Sequence, residues 1–352
     1  GVIGYCTNVH AAESLPDIRS MLNGPVRSVQ QRLGRDTLEI GLWLNESVVI
    51  DPAVESLRED LDRLGVVVRG CNGFPQTSFH APVVKRSVYR PHWGQIERLR
   101  YTKRLAEVLV KIGHGPVREI STVPIGHREL GEEMLPTAIA QLHALVDFLS
   151  ALEDESGVRV VVDLEPEPDC LLECSSDVID LFDRLGDAPA IRRYLGVCHD
   201  TCHAAVVREP QDQAISAYQQ SEIRIGKVQC SSVPVVDLSD PEQREFLRQL
   251  DEPRWLHQTS VELGSGLARY EDLDGVFKES EGLARVHFHV PVHLEHLGPL
   301  RTTRNEIFSA FTALPEDSDR VVEVETYAWS ALPDSVRPEL VEGIVLELES
   351  LA

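Results

Sequence analysis

The chain has 352 residues, and its 34 Lys plus Arg against 57 Asp plus Glu give a formal charge of −23. Such a field repels polyanions and anionic lipid surfaces, which argues against nucleic-acid binding and membrane docking unless the basic residues cluster sharply. At 42% hydrophobic and 26% charged residues the composition is that of a folded globular protein, and no apolar stretch is expected to reach membrane-span length, Val158–Leu164 being the longest strand-like run.

In chain order, Val2–Asn8 reads as a short strand and Glu13–Leu33 as a helix interrupted near Asn23-Gly24-Pro25. Thr37–Leu44 is strand-like, and Pro52–Leu64 repeats apolar residues at helical spacing with proline early, where its missing N–H costs nothing. Val66–Cys71 is a β-branched run, followed by a long loop and the helix His92–Ile112. The cycle continues with strand Val117–Val123, helix Met134–Leu152, strand Val158–Glu165, helix Ser175–Leu185 and strand Leu195–Asp200. Helix Pro210–Gln219 and strand Ile223–Cys230 complete the seventh repeat.

Strands alternating with helices predict βα units and a parallel sheet, and about eight such units favour closure into a TIM (β/α)8 barrel. The first strand leads into Asn8-Val9-His10 rather than a glycine-rich fingerprint, so a dinucleotide-binding fold loses its main support. A polar, helix-prone insertion at about 232–284 follows strand seven. Then come a strand Val286–Val292, a strand Val321–Tyr327 and a C-terminal helix around Pro338–Leu351. That is one strand too many for the barrel, so Val286–Val292 is expected either beside the mouth or in place of a misassigned strand. With no linker or low-complexity segment, residues 1–352 read as one domain.

Seven cysteines, an odd number, do not form a disulfide framework and point to a reducing, cytoplasmic interior. The pairs Cys170/Cys174 and Cys198/Cys202 lack the tight glycine-rich turns of zinc ribbons. Gly1 suggests a processed start, and no export signal follows it.

Polar side chains concentrate where the strands end, which is where barrels of this kind place function. Strand five ends Asp163-Leu164-Glu165-Pro166-Glu167, and strand six ends Cys198-His199-Asp200-Thr201-Cys202-His203. Strand seven carries Lys227, Gln229 and Ser231 on one face, the extra strand His287 and His289 with His293 beyond, and the last strand Glu323, Glu325 and Tyr327. Each has a plain structural reading: Asp200 can cap the next helix, and His287 and His289 can be polar residues of a surface strand. Together, Glu165, Asp200 and Glu325 place several anionic groups in one funnel, which calls for a divalent cation or for Lys227.

Asp200-Thr201-Cys202-His203 after Gly196-Val197-Cys198 resembles the Asp-Thr-x-His strand end of xylose-isomerase-like TIM barrels. That resemblance implies one divalent metal, Mn, Mg, Zn, Fe or Co, held by Glu165, Asp200, Gln229 and Glu325, with Gln229 departing from the family's histidine and His289 or His287 able to compensate. Longer motifs resemble the EboE family of metabolite traffic proteins: Tyr5-Cys6-Thr7-Asn8-Val9-His10, Asn72-Gly73-Phe74-Pro75, Val88-Tyr89-Arg90-Pro91, Leu164-Glu165-Pro166-Glu167-Pro168, Lys227-Val228-Gln229-Cys230-Ser231-Ser232, Val286-His287-Phe288-His289-Val290-Pro291 and Glu323-Val324-Glu325-Thr326-Tyr327. This likeness implies an operon of secondary metabolism and a sugar- or cyclitol-like substrate.

Three functions follow as expectations. The first is a metal-dependent isomerase or epimerase acting on a small polyhydroxylated metabolite. In it Glu165 and Glu325, on opposed strands, serve as acid and base, and Lys227 or His203 stabilises the oxyanion. His289 is expected as a ligand or acid/base, His203 as its hydrogen-bonding neighbour, and Tyr5, Asn8, His10, Asn72, Phe74, His287 and Tyr327 as substrate-binding residues. The second is a small phosphate-ester hydrolase of the endonuclease-like branch. The third is a non-catalytic metabolite carrier, which the Gln229 departure favours.

Overall fold

The computed structural model describes residues 2–352. Seven strands, β1 (Ile3–Cys6), β2 (Leu38–Trp43), β3 (Val66–Asn72), β4 (Val117–Thr122), β5 (Arg159–Leu164), β6 (Leu195–Asp200) and β7 (Ile225–Cys230), run parallel in sequence order. Six more follow: β8 (Pro234–Asp237), β9 (Thr259–Leu263), β10 (Gly266–Tyr270), β11 (Leu283–Val286), β12 (His296–Leu297) and β13 (Leu300–Thr302). The last, β14 (Val321–Val324), pairs with both β7 and β1 and closes an eight-stranded barrel. Strands such as β2, Leu-Glu-Ile-Gly-Leu-Trp, are buried at every position because helices cover one face and the barrel interior the other.

The helices lie close to their predicted places, with Ser175–Leu185 matching residue for residue. The first does not break at Asn23-Gly24-Pro25; a π-helical turn, Leu22–Val26, carries the chain through Pro25 into Arg27–Arg32. The helix Leu135–Ser156 corrects the expectation about apolar stretches: with the turn before it, Glu132–Ser156 is long enough to cross a membrane and contains an 18-residue stretch apolar enough to do so, of mean hydropathy 1.4. In the barrel, its Leu135, Ala138, Leu142, Leu145, Val146 and Leu149 are buried in the core shared with β5 and the helix Ile96–Ile112.

The insertion is the larger correction. Its polar residues alternate with buried Val236, Val261 and Ala284, and together with the chain up to Thr302 it forms a six-stranded sheet in the order β10-β9-β11-β8-β13-β12, with the helices Pro241–Leu250 and Leu273–Val276. All its pairings are antiparallel. Its core is continuous with Trp43, Phe79, Val84 and Trp329 from the barrel's mouth, so the sheet is seated there. Val286–Val292 therefore lies beside the mouth: only Val286 belongs to β11, and Val290 bridges back to Ser232.

Below the mouth the barrel interior is charged, and glycines make room for it. A Cβ on Gly41 would lie 1.8 Å from Glu323 Oε2, and one on Gly226 would lie 2.6 Å from both Asp163 Oδ1 and Glu119 Oε2. Lys227 Nζ stands 2.7 Å from Glu323 Oε1, close but not aligned as a hydrogen bond, and donates to Ser121 Oγ at 3.2 Å.

Candidate metal centre and active site

The carboxyl ends of the strands bring Glu165, Asp200 and Glu325 together, each offering an oxygen within 4.8 Å of the others. Asp200 ends β6 and caps the helix Thr201–Val207: its Oδ1 accepts from the backbone N–H groups of Cys202 (2.6 Å) and His203 (3.2 Å). The capping reading thus accounts for one oxygen, while Oδ2 is buried without a hydrogen-bond partner, as is Glu165 Oε2. Glu325 Oε1 accepts from Asn8 Nδ2 at 2.7 Å and Asn72 Nδ2 at 2.9 Å, which fixes the carboxylate and leaves its second oxygen facing the cluster.

Burial penalises the charge on these groups, and their mutual repulsion adds to it. Glu165 is pushed up to about 8, and Glu325 well above the carboxylate range, by burial first and then by its two acidic neighbours. Asp200 is the exception: burial would raise it, but His203, His289 and the two capping N–H groups hold it below its usual value. A cluster short of positive charge, with unpaired inward oxygens, is what a divalent cation satisfies.

The histidines sharpen that fit. His289 Nδ1 donates to the carbonyl of Glu325 (2.9 Å) and contacts Ser231 Oγ (2.9 Å), so its Nε2 carries a bare lone pair. Gln258 Nε2 donates to Tyr89 Oη (2.7 Å), which turns Gln258 Oε1 toward His287 Nδ1 (2.7 Å) and leaves His287 Nε2 bare as well. Both rings are held neutral by burial, His289 near 4 and His287 well below its ordinary value. Two lone pairs nevertheless face each other at 3.1 Å. Two nitrogens on one tetrahedral ion, each about 2.0–2.1 Å from it, stand about 3.3 Å apart. Cys202 completes one candidate triad with this pair; Asp200, His203 and His289 form another, and Glu167, His203 and His287 a third.

The family model for xylose isomerase-like TIM barrels matches residues 30–282. The chain belongs to that family. Three solved structures share the fold: an L-ribulose 3-epimerase (12% identity, TM-score 0.53, covering 99% of this chain and 92% of that one), the IolI protein with a bound zinc atom (14%, 0.52, 99% and 96%), and a xylose isomerase-like TIM barrel protein from Mycobacterium smegmatis in complex with magnesium (12%, 0.55, 99% and 97%). No curated protein matches the chain significantly.

In this family member the mouth cavity is lined by Asn8, Asn72, Phe74, Glu165, His203, His287, His289, Glu325 and Tyr327 from the expected set. Four placements differ from expectation. Tyr5 does not line the cavity; it lies in the core between strands and helices, and its hydroxyl meets His10 Nε2 at 3.1 Å, so His10 is withdrawn as well. Period-two alternation on β1 turns the neighbouring Cys6 inward instead, 3.7 Å from Asn72 Nδ2. Lys227 is off the cavity, committed to Glu323 and Ser121, and acts on the carboxylates only through its field. Gln229 is buried with Oε1 turned to the Cys198 thiol (3.3 Å) and Nε2 unpaired, so a half-turn of the amide is needed before it can offer an oxygen. Finally, β5 and β14 are three positions apart around the barrel rather than opposed, and their carboxylates converge.

His203 lies where its spacing from Asp200 implied. Its Nδ1 donates to Pro166 O (2.9 Å), and Nε2 stands 4.0 Å from Asp200 Oδ2. Burial disfavours its charge, but Asp200, Glu167 and Glu165 outweigh that and raise its pKa. Residues the sequence did not single out complete the site. Tyr89 donates to Glu167 Oε1 at 2.7 Å, joining Glu167, Tyr89, Gln258 and His287 in one chain. Phe79, Lys85 and Trp255 form the outer wall. Glu167 and Tyr89 carried a signal, as polar residues in the Glu-Pro-Glu-Pro and Val-Tyr-Arg-Pro segments; Trp255 and Gln258, inside the insertion, carried none. The cavity is about 50 Å³, room for a few waters.

Proposed function

We propose that this protein is a divalent-metal-dependent isomerase or epimerase acting on a small sugar- or cyclitol-like metabolite. The observation that carries the reading is the convergence of Glu165, Asp200 and Glu325 at the mouth with unpaired inward oxygens. Those three residues would hold the ion, with His289 and a rotated Gln229 as further donors; hard carboxylates favour Mg or Mn, and histidine recruitment favours Zn, Fe or Co. Such an ion, when bound, supplies Lewis-acid polarisation of adjacent carbonyl and hydroxyl oxygens.

The chain's own groups then handle the proton. Glu165 and Glu325 approach the centre from different strands, so one takes the carbon-bound proton and the other delivers a proton to the neighbouring carbon or the opposite face. His203, its Nδ1 occupied by Pro166, aims Nε2 at the substrate's oxygen. Asn8 and Asn72 keep Glu325 oriented through both steps. The resemblance of its motifs to the EboE family supports a secondary-metabolite pathway as the setting, and the seven free thiols fit a cytoplasmic, reducing one. We read the barrel and its inserted sheet as one domain.

One observation favours the second reading, a phosphate-ester hydrolase: the bare His287 and His289 nitrogens offer a second ion position beside the carboxylates. Elemental analysis of protein purified without added metal, paired with NMR of substrate candidates in D2O, tests both. One ion per chain and deuterium at the carbon next to a carbonyl support the isomerase. Two ions, phosphate release and no exchange support the hydrolase. Absence of any ion after reconstitution leaves the carrier reading.

A further inference from the structure

The outer wall of the cavity is aromatic and carries two hydrogen-bonding atoms without partners. Phe79, Trp255 and Tyr327 contact one another edge to face or tilted, with centroids 4.9–5.6 Å apart. Trp255 is 6% exposed and lines the cavity, yet its indole N–H meets no acceptor. A buried donor left unpaired costs about 1–3 kcal/mol, so natural structures rarely keep one without a reason. Across the mouth, Asn8 spends its Nδ2 on Glu325, which fixes Oδ1 as an acceptor, and Oδ1 is unpartnered too.

Trp255 is held where it stands. Its backbone N–H and that of Arg254 donate to the Glu252 carboxylate at 2.9 and 2.8 Å, and Arg254 O accepts from Val84 N (2.7 Å) and Lys85 N (2.8 Å). The inserted sheet and the loop after β3 are thus stitched together at this residue.

The charges around the cavity are lopsided. Among the described residues Lys85 is the one Lys or Arg on its lining, and its ammonium is committed to Asp272. Glu165, Glu167 and Glu325 all line it, with Asp200 behind. One divalent ion offsets two of these charges, so a phosphate or carboxylate on the substrate would enter a site still negative.

We infer that the substrate is an uncharged polyhydroxylated molecule, one oxygen of which accepts from the Trp255 indole N–H while another hydroxyl donates to Asn8 Oδ1. Trp255 is then a specificity-determining residue supplied by the insertion rather than by the barrel. The inference rests on the isomerase reading of the same site and names the substrate class for it.

The test uses the full-length, metal-loaded protein. Calorimetric titrations with uncharged ketohexoses and inositols are compared with those of their monophosphates, and single-deoxy analogues of the best uncharged binder follow. The uncharged compound should bind at least tenfold more tightly than its phosphate. W255F keeps the ring and should weaken binding three- to tenfold without moving the melting temperature. With one deoxy analogue, W255F should cost nothing further, which a purely packing role for Trp255 would not produce. A phosphate that binds more tightly than its parent, no binding of any uncharged compound, or W255F equal to wild type with every analogue overturns the inference. If the uncharged compounds bind with this pattern but show no carbon–hydrogen exchange in D2O, the isomerase reading fails and the recognition stands.

Discussion

Glu325→Gln separates the metal's contribution from that of the fold. The Gln oxygen can keep both amide donors that Glu325 Oε1 accepts, from Asn8 at 2.7 Å and Asn72 at 2.9 Å. Its new NH2 replaces the oxygen that faces Glu165 and Asp200, removing an acid whose ionisation burial and these two neighbours oppose, and offering a donor to oxygens that lack one. Without metal the variant should therefore melt at or slightly above wild type. With metal the order reverses. Groups that merely orient ligands are worth about 10–100-fold in metal affinity, so loss of a ligand should cost at least about 100-fold. At an ion concentration 100 times the wild-type dissociation constant, binding stabilises wild type by about 2.7 kcal/mol and the variant by about 0.4 kcal/mol. At about 1.4 °C per kcal/mol for a chain of this length, metal should raise the wild-type Tm by about 4 °C and that of the variant by about 0.5 °C. Thermal melts with EDTA or added Mn, Mg, Zn or Co, with metal content by elemental analysis, read this directly. A variant that retains stoichiometric metal and the full shift refutes the shared carboxylate site.

In the metal-free protein, Glu165 and Glu347, both pushed up to about 8 by burial, bind protons more tightly folded than unfolded, so the stability they contribute falls as pH rises from about 4.5 to 8; a Glu165→Gln variant whose melting temperature follows pH as wild type does across that window contradicts the assignment. Glu347 accepts from Val292 N (3.1 Å) and Thr326 Oγ1 (2.9 Å), tying the C-terminal helix to the segments that carry His289 and Glu325. Glu347→Ala should cost about 2–4 kcal/mol in denaturant unfolding and loosen metal, with Gln milder on both counts; unchanged metal affinity would show that the tie is not transmitted. Gly41→Ala puts a Cβ 1.8 Å from Glu323 Oε2 and should disturb the buried pair with Lys227, lowering stability by up to about 3–5 kcal/mol; a melting curve like that of wild type would mean the pair shifts freely.

Much of this architecture was legible in the chain because two periods coexist in it. β-Branched runs such as Val160-Val161-Val162, followed by helical repeats such as Ser175–Leu185, bury their apolar faces as βα units, and about eight such units favour a closed barrel over an open sheet. The strand-end carboxylates were legible for the same reason: once a strand is placed, the residue after it lies at the mouth. Register failed where a strand was short. β1 has four residues, and with so few the alternation did not say that Cys6 rather than Tyr5 faces inward.

The insertion was not legible, because the strands of its sheet are two to five residues long and pair across gaps that no local pattern records. Its half-buried faces read as polar helix until tertiary contact with Trp43 and Phe79 sorted them. The sequence by itself determined the barrel, its charge and the late-strand acids, since these depend on local period and composition. Only the tertiary structure decided that Lys227 is spent on Glu323, that Gln229 turns its oxygen away, and that two bare histidine nitrogens meet at 3.1 Å in a cavity that the Trp255 indole also lines. Those facts depend on which side chains far apart in the chain reach the same point and which hydrogen-bond partners are already taken there, and neither is encoded in any local window.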